Sequence, residues 1–131
     1  MYLLDANAVV DYLRGRGAVA ANMLAVPPSD IGLPAVAAYE VWFGVLGSQN
    51  AARRTVLFEQ LLASLRILAF DGTTSRKAAE IRHLLERRGE AIGPMDTLIA
   101  ATALVNTATL VTRNVREFAR VPGLEIVNWY D

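Results

Sequence analysis

Tyr2-Leu3-Leu4-Asp5-Ala6-Asn7 opens with a short apolar run, turns on an acid and an Asn, and leads into helical spacing from Ala8 to Arg14. A buried strand, an acidic tip and a helix in that order begin an alternating β/α chain. The pattern then repeats. Gly15 and Gly17 end the first helix, Ala18–Ala25 forms a second, and Pro27-Pro28-Ser29-Asp30 marks a loop. Ile31–Leu33 reads as a strand, Ala35–Leu46 as a helix begun by Pro34 and stopped by Gly47, and Ala51–Leu65 as another helix. Arg66–Phe70 is a third strand. Asp71-Gly-Thr-Thr-Ser75 caps a long helix to Arg88, and Pro94 precedes an apolar helix over Asp96–Val105. Thr109–Thr112 is a fourth strand, Arg113–Arg120 a short helical or irregular turn, and Leu124–Asn128 a closing strand. Trp129-Tyr130 is expected to pack on the last helix. The fold class is α/β, with a central parallel sheet of four to five short strands and helices on both faces.

The 131 residues suit one domain over 1–131, and 53% hydrophobic against 20% charged residues excludes a disordered chain. Thirteen basic and thirteen acidic side chains cancel, so no global positive field draws in nucleic acid. The absence of Cys removes zinc ribbons, thiol catalysis and disulfides, and fits a cytoplasmic location. No basic, apolar leader precedes Asp5, and the longest apolar run, around Leu98–Val105, is too short to span a membrane. The mean hydropathy of +0.30 is high for a small monomer, so a homodimer or an obligate complex is expected.

Three acids fall where the pattern is apolar. Asp5 follows a buried strand at its carboxyl end, the edge at which open parallel sheets bind ligands. Glu40 lies four residues after Val36 and three before Phe43, on an apolar stripe. Asp96 shares a face with Ile99 and Ala100 of the most apolar helix. Each has a plainer reading: Asp5 as a helix cap, Asp96 as a first-turn acid in the helix dipole, Glu40 as half of a buried ion pair with Arg. Together, three inward carboxylates from separate segments repel one another, and a divalent cation resolves this simply. Oxygen ligands alone suit Mg²⁺ or Mn²⁺, which activates water and orients it toward a phosphodiester.

With these residues in place, the chain resembles the PIN-domain ribonucleases, in particular the VapC-type toxins of bacterial toxin–antitoxin pairs. The resemblance rests on Leu4-Asp5-Ala-Asn7, Glu40 within Ala38-Tyr-Glu-Val-Trp-Phe-Gly44, Gly93-Pro-Met-Asp96 followed by Leu98-Ile-Ala-Ala101, and Leu110-Val-Thr-Arg-Asn114 with Arg116-Glu-Phe118. It implies a PIN-like three-layer sandwich and an endoribonuclease dependent on Mg²⁺ or Mn²⁺. Its catalytic residues would be Asp5, Glu40, Asp96 and Asn114, with Asp5 and Asp96 on the metal. It also implies an RNA substrate and a cognate antitoxin whose carboxyl-terminal segment occupies the active-site groove.

Two positions depart from the family pattern. Ala6 stands where Thr or Ser is more usual, with Asn7 retained beside it. Asn114 stands at the fourth acidic position and brings no charge. Glu117, one helical turn on, either replaces that acid or is a solvated surface residue. Thr112, at a strand end, is placed to hydrogen-bond Asp5 or Asn7.

Arg14, Arg113 and Arg116, with Arg16 and Arg120, come from segments near the acidic edge and are candidates for holding RNA phosphates. His83 lies on a charged helix face and reads as solvated. Of Tyr39, Trp42 and Phe43 around Glu40, Trp42 is the one assigned to a dimer or antitoxin surface. Two other functions compete. A catalytically silent PIN-like module binding RNA or protein is motivated by Asn114. A phosphoaspartyl enzyme using Asp5 would need a second acid where Asn7 stands and a lysine nearby, whereas the sole lysine, Lys77, sits mid-helix.

Overall fold

The computed structural model describes residues 1–130. Five short parallel strands, β1 (Tyr2–Leu4), β2 (Ile31–Pro34), β3 (Arg66–Leu68), β4 (Thr109–Val111) and β5 (Glu125–Val127), form one sheet in the order β3-β2-β1-β4-β5. Seven helices complete the α/β sandwich: α1 (Ala6–Leu13), α2 (Val19–Leu24), α3 (Ala35–Leu46), α4 (Ala51–Leu62), α5 (Gly72–Arg87), α6 (Pro94–Val105) and α7 (Val115–Phe118). The chain leaves central β1 toward β2 and β3, then crosses back to β4 and β5. The strand order therefore reverses beside β1, and the carboxyl ends of β1 and β4 flank the crevice where such sheets take their ligands.

Local chemistry places the helix starts. Asp5 caps α1, with the Ala8 N–H donating to its Oδ1 at 2.8 Å, and Asp71 caps α5 through the Thr74 N–H and hydroxyl. Pro94 occupies the first turn of α6, where its missing N–H costs nothing. Gly89 follows the end of α5 at φ +66°, a left-handed position that favours glycine.

Leu3, Leu4, Leu33, Leu110 and Val111 of the strands pack with Ile99, Ala100, Ala101 and Ala103 of α6, Phe58 of α4 and Phe118 of α7, all essentially inaccessible to solvent. Each large side chain contributes about 1.5–3 kcal/mol of burial. The buried Thr97 and Thr102 hydroxyls return to carbonyls one turn earlier, of Gly93 and Leu98. No buried side-chain polar atom among the described residues lacks a partner. No helix among them is long and apolar enough to cross a membrane.

Several expectations are corrected. α4 stops at Leu62, with the Ser64 hydroxyl donating to the Leu61 carbonyl, and β3 pairs only over Arg66–Leu68. Trp42 is spent inside the fold, edge-on to Phe58 with centroids 4.8 Å apart, while Tyr39 and Phe43 stand exposed. The Trp129 ring lies 5.1 Å from that of Tyr2, and its carbonyl accepts from Asn22 Nδ2 on α2. The stripe drawn through Val36, Glu40 and Phe43 is not the one α3 buries. Ala37, Ala38, Val41 and Val45 face the core, Phe43 is 75% exposed, and Glu40 sits half-buried at the margin.

Candidate active site

Asp5 is fixed by both of its carboxylate oxygens. Its own N–H continues the sheet to the Val111 carbonyl at 3.1 Å, Oδ1 caps α1, and Oδ2 accepts from the Thr112 hydroxyl at 2.5 Å. The helix-cap reading of Asp5 is thus correct and compatible with a site role, since each oxygen retains a further lone pair. Thr112 is oriented in turn by the Asn114 N–H, which donates to its hydroxyl oxygen at 3.0 Å. Burial pushes the Asp5 carboxyl above its ordinary range against the two hydrogen bonds, and the nearby charge of Asp11 adds to the rise.

Asp96, the third residue of α6, is half-buried, and its carboxyl is pushed up to about 7. Desolvation is the largest cause, followed by the charge of Glu117, a hydrogen bond with that same carboxylate, and the charges of Glu40 and Asp5. Glu40 is raised by burial and then by Asp5. Four carboxylates from β1's end, α3, α6 and α7 therefore share one field. Glu117 takes the opposite direction. The Gly93 N–H donates to its Oε1 at 2.9 Å and holds its pKa below the usual range, while Asn114 Nδ2 donates to Oε2 and Arg120 adds favourable charge. The proton of the Asp96–Glu117 pair accordingly resides on Asp96.

Of the two readings of Glu117, the geometry favours membership of the cluster over a solvated surface acid. Asn114 spends its amide on Glu117 and its backbone on Thr112, so it positions both neighbours. Gly93 adjoins both acids: a Cβ there would lie in ordinary contact, 3.4 Å from Asp96 Oδ2 and 3.8 Å from Glu117 Oε1.

No basic side chain neutralises the cluster through an ion pair. The three ion pairs among the described residues, Arg76–Glu80, Lys77–Glu80 and Arg82–Glu86, all lie on exposed positions of α5. The buried Glu40–Arg pair considered from sequence does not form. The donor set fits a hard divalent cation: oxygen ligands only, excess negative charge, and one carboxyl whose pKa burial and the neighbouring carboxylates raise. No group of three or more acidic or imidazole side chains among the described residues is close enough to form a cage by itself. Asp5 and Asp96 would hold the ion, the remaining positions falling to water or phosphate, as Mg²⁺ commonly requires.

A profile of the PIN domain matches residues 2–124. The chain belongs to the PIN-domain family. It is similar to the Ribonuclease VapC2 of Rickettsia felis, 31% identical over 98% of both chains, and to the tRNA(fMet)-specific endonuclease VapC of Shigella flexneri, 27% identical over 98% of this chain and 97% of that one. Among solved structures, VapBC2 of Rickettsia felis bound to a DNA fragment from its promoter superposes with a TM-score of 0.91, at 30% identity over 98% of each chain.

The remaining candidates of this PIN domain are dispersed. Asn7 is exposed in the first turn of α1 without a hydrogen bond to another described residue. Arg113 follows Thr112 and lies over the Tyr130 ring, Arg116 is exposed on α7, and Arg120 donates to the Ala91 carbonyl at 3.1 Å. Arg14 borders a groove of about 320 Å³ between α1, α3 and α4, floored by Val10, Leu13, Val41, Val45 and Leu57 and shared with Arg53 and Arg54. Nothing among the described residues links it to the four carboxylates. His83 is exposed, as expected. Sequence reasoning missed Asp11 and Tyr130 beside Asp5, and the role of the Gly93 N–H. Asp11 and Tyr130 carry no local signal, because they meet only through the fold.

Proposed function

We propose that this PIN domain is an endoribonuclease, the toxin of a toxin–antitoxin pair, dependent on Mg²⁺ or Mn²⁺ and acting in the cytoplasm. The observation that carries this reading is the cluster of Asp5, Glu40, Asp96 and Glu117 at the carboxyl edge of a parallel sheet, without an ion-paired base, where burial first and the neighbouring carboxylates next push the Asp96 pKa up to about 7. When bound, a divalent cation supplies charge neutralisation at the phosphate and lowers the pKa of water. The chain's own residues do the placing. Asp5 is held by Ala8 and Thr112, Thr112 by Asn114, and Glu117 by Gly93 and Asn114, so the acids present fixed oxygens toward an incoming phosphodiester. Glu40 and Glu117 add negative charge that disfavours the ionised form of Asp96, and a cation held there would offset that charge and favour loss of the Asp96 proton.

Structural relatives are VapBC assemblies by name, and VapBC-5 of Mycobacterium tuberculosis is named as a member of the VapBC family of toxin–antitoxin systems, which supports an antitoxin partner for this chain. The groove with an apolar floor and the Arg14, Arg53 and Arg54 rim fits an acidic amphipathic segment of such a partner. Tyr39, Phe43 and Leu46, at positions i, i+4 and i+7 of α3 and all more than half exposed, suit a self-complementary dimer face.

The deciding experiment is cleavage of a transfer RNA pool, with initiator tRNA as a separate arm, by purified protein in Mg²⁺ or Mn²⁺. Cutting that disappears in EDTA and in Asp96→Asn supports the reading. Intact RNA in every arm, with no change of melting temperature on adding Mn²⁺, overturns it in favour of a silent binding module.

A further inference from the structure

Beside Asp5 lies a second group of side chains that the four-acid cluster does not explain. The Tyr130 hydroxyl donates to Asp11 Oδ2 on α1 at 2.6 Å, and the Tyr130 N–H donates to Asn128 Oδ1 at 2.8 Å, which together fix the ring. The Arg113 guanidinium carbon stands 5.4 Å from the centre of that ring, within cation–π range. Arg113 is the residue after Thr112, whose hydroxyl holds Asp5. The group thus adjoins the site: Tyr130 feels the charge of Asp5, and Asp5 feels that of Asp11.

The pairing is unusual in what it leaves unspent. Arg113 forms an ion pair with neither Asp5 nor Asp11, nor with another described acid. Asp11 accepts the tyrosine hydrogen bond instead, and a phenol donating to a carboxylate has a more electron-rich ring, which strengthens its hold on a cation. The contact with the ring is the one interaction of the Arg113 guanidinium with a described residue, so its N–H donors remain available, and these recognise phosphate in bidentate fashion.

We propose that Tyr130, braced by Asp11, is a positioning residue that holds Arg113 beside Asp5 as a binding group for a phosphate of the RNA. Asp11 acts as a lock on the ring. The inference rests on the RNA-cutting reading above, and it adds that the last aromatic residue of the chain governs substrate affinity through an arginine on another segment.

The test is a double-mutant cycle between Tyr130 and Arg113 in the full chain carrying Asp96→Asn. It is read as anisotropy of fluorescein-labelled initiator tRNA in EDTA at several salt concentrations, with melting temperatures of every variant. Arg113→Ala should weaken binding about ten-fold, as loss of a charged hydrogen bond does, and reduce the salt slope by about 0.7, the share of one phosphate contact on a single strand. Tyr130→Leu should weaken binding about two- to five-fold, the equivalent of an exposed cation–π contact, and have no further effect once Arg113 is alanine. Tyr130→Phe, which keeps the ring but loses the bond to Asp11, should weaken binding by less than Tyr130→Leu. Equal effects of Tyr130→Leu in both backgrounds, or Phe as damaging as Leu, would show a mere tether through Asp11 and overturn the proposal, as would absence of binding at low salt. A non-additive cycle in a protein that cuts no RNA keeps this inference and removes the nuclease reading, whereas cutting with an additive cycle does the reverse.

Discussion

Replacing Asp96 by Asn should stabilise the metal-free protein at pH 8 and leave it unchanged near pH 4. The Asp96 carboxyl rises from 3.8 to about 7 on folding, so between those values the native state binds a proton that the unfolded chain does not. Its contribution is fully present below pH 3.8 and is lost as pH rises through 7. Three pKa units correspond to about 4 kcal/mol, and solvent screening of a half-exposed carboxyl reduces this to about 1–2 kcal/mol. Asn mimics the protonated form, since its amide can donate to Glu117 as the acid proton does. The pH-dependent loss should then vanish. For a chain of this size about 1–2 kcal/mol is about 3–8 °C in Tm. Glu117 is held below its usual range and titrates the other way, being stabilising above 4.5 and losing that as pH falls, so the comparison is cleanest above pH 5. The assay is urea unfolding of both proteins in EDTA from pH 4 to 8, with Mn²⁺ added at pH 8. Mn²⁺ should raise the wild type alone, by about 2.7 kcal/mol at a hundred times its Kd. A wild type at least as stable as Asp96→Asn at pH 8 would refute the claim that Asp96 is held in an uncompensated field.

Glu117→Ala should lower cleavage about 10–100-fold, as loss of a group orienting a metal ligand does, and flatten the pH dependence of wild-type stability. Thr112→Val leaves Asp5 Oδ2 and the Asn114 N–H without a buried partner and should cost about 1–3 kcal/mol in urea unfolding, whereas Thr112→Ser restores it. Gly93→Ala meets no backbone strain at φ −56°, so its stability should change by less than about 1 kcal/mol. Its kcat should likewise stay close to wild type, because the new Cβ would meet Asp96 Oδ2 at an ordinary contact distance, 3.4 Å. Phe43→Asp, on a side chain 75% exposed in the protomer, should shift sedimentation from dimer to monomer without lowering the monomer's melting temperature.

The alternation of strands and helices was legible because its punctuation is chemical. Asp5 and Asp71 cap, Pro34 and Pro94 start, and Gly47 and Gly89 stop helices where the residue types say they should. Strand ends were less legible. Ala69 and Phe70 continue the apolar run of β3, yet a strand ends where its neighbour β2 ends, at Pro34 paired with Leu68. The inward face of α3 was misread for a related reason. Val36, Val41, Trp42, Phe43 and Val45 make the helix apolar nearly all round, so periodicity alone cannot separate the face that meets the core from the face left for a partner.

The acids follow a different logic. Asp5 and Asp96 were found because they sit at apolar positions of elements the sequence specifies well, and Glu40 was found although the stripe drawn through it was wrong. Glu117 could not be assigned from Asn114 and its own spacing, since what fixes it is a backbone N–H of Gly93, twenty-four positions earlier in the chain. The Asn114 amide brings no charge, but its Nδ2 and the Gly93 N–H together hold the Glu117 carboxylate beside Asp96. The local network therefore keeps four acids in one field while Arg120 is turned to the Ala91 carbonyl and Arg113 to the Tyr130 ring. A direct ion pair of either arginine within the cluster would offset the carboxylate charges that add to burial in raising the Asp96 pKa, and the site would have less use for a cation.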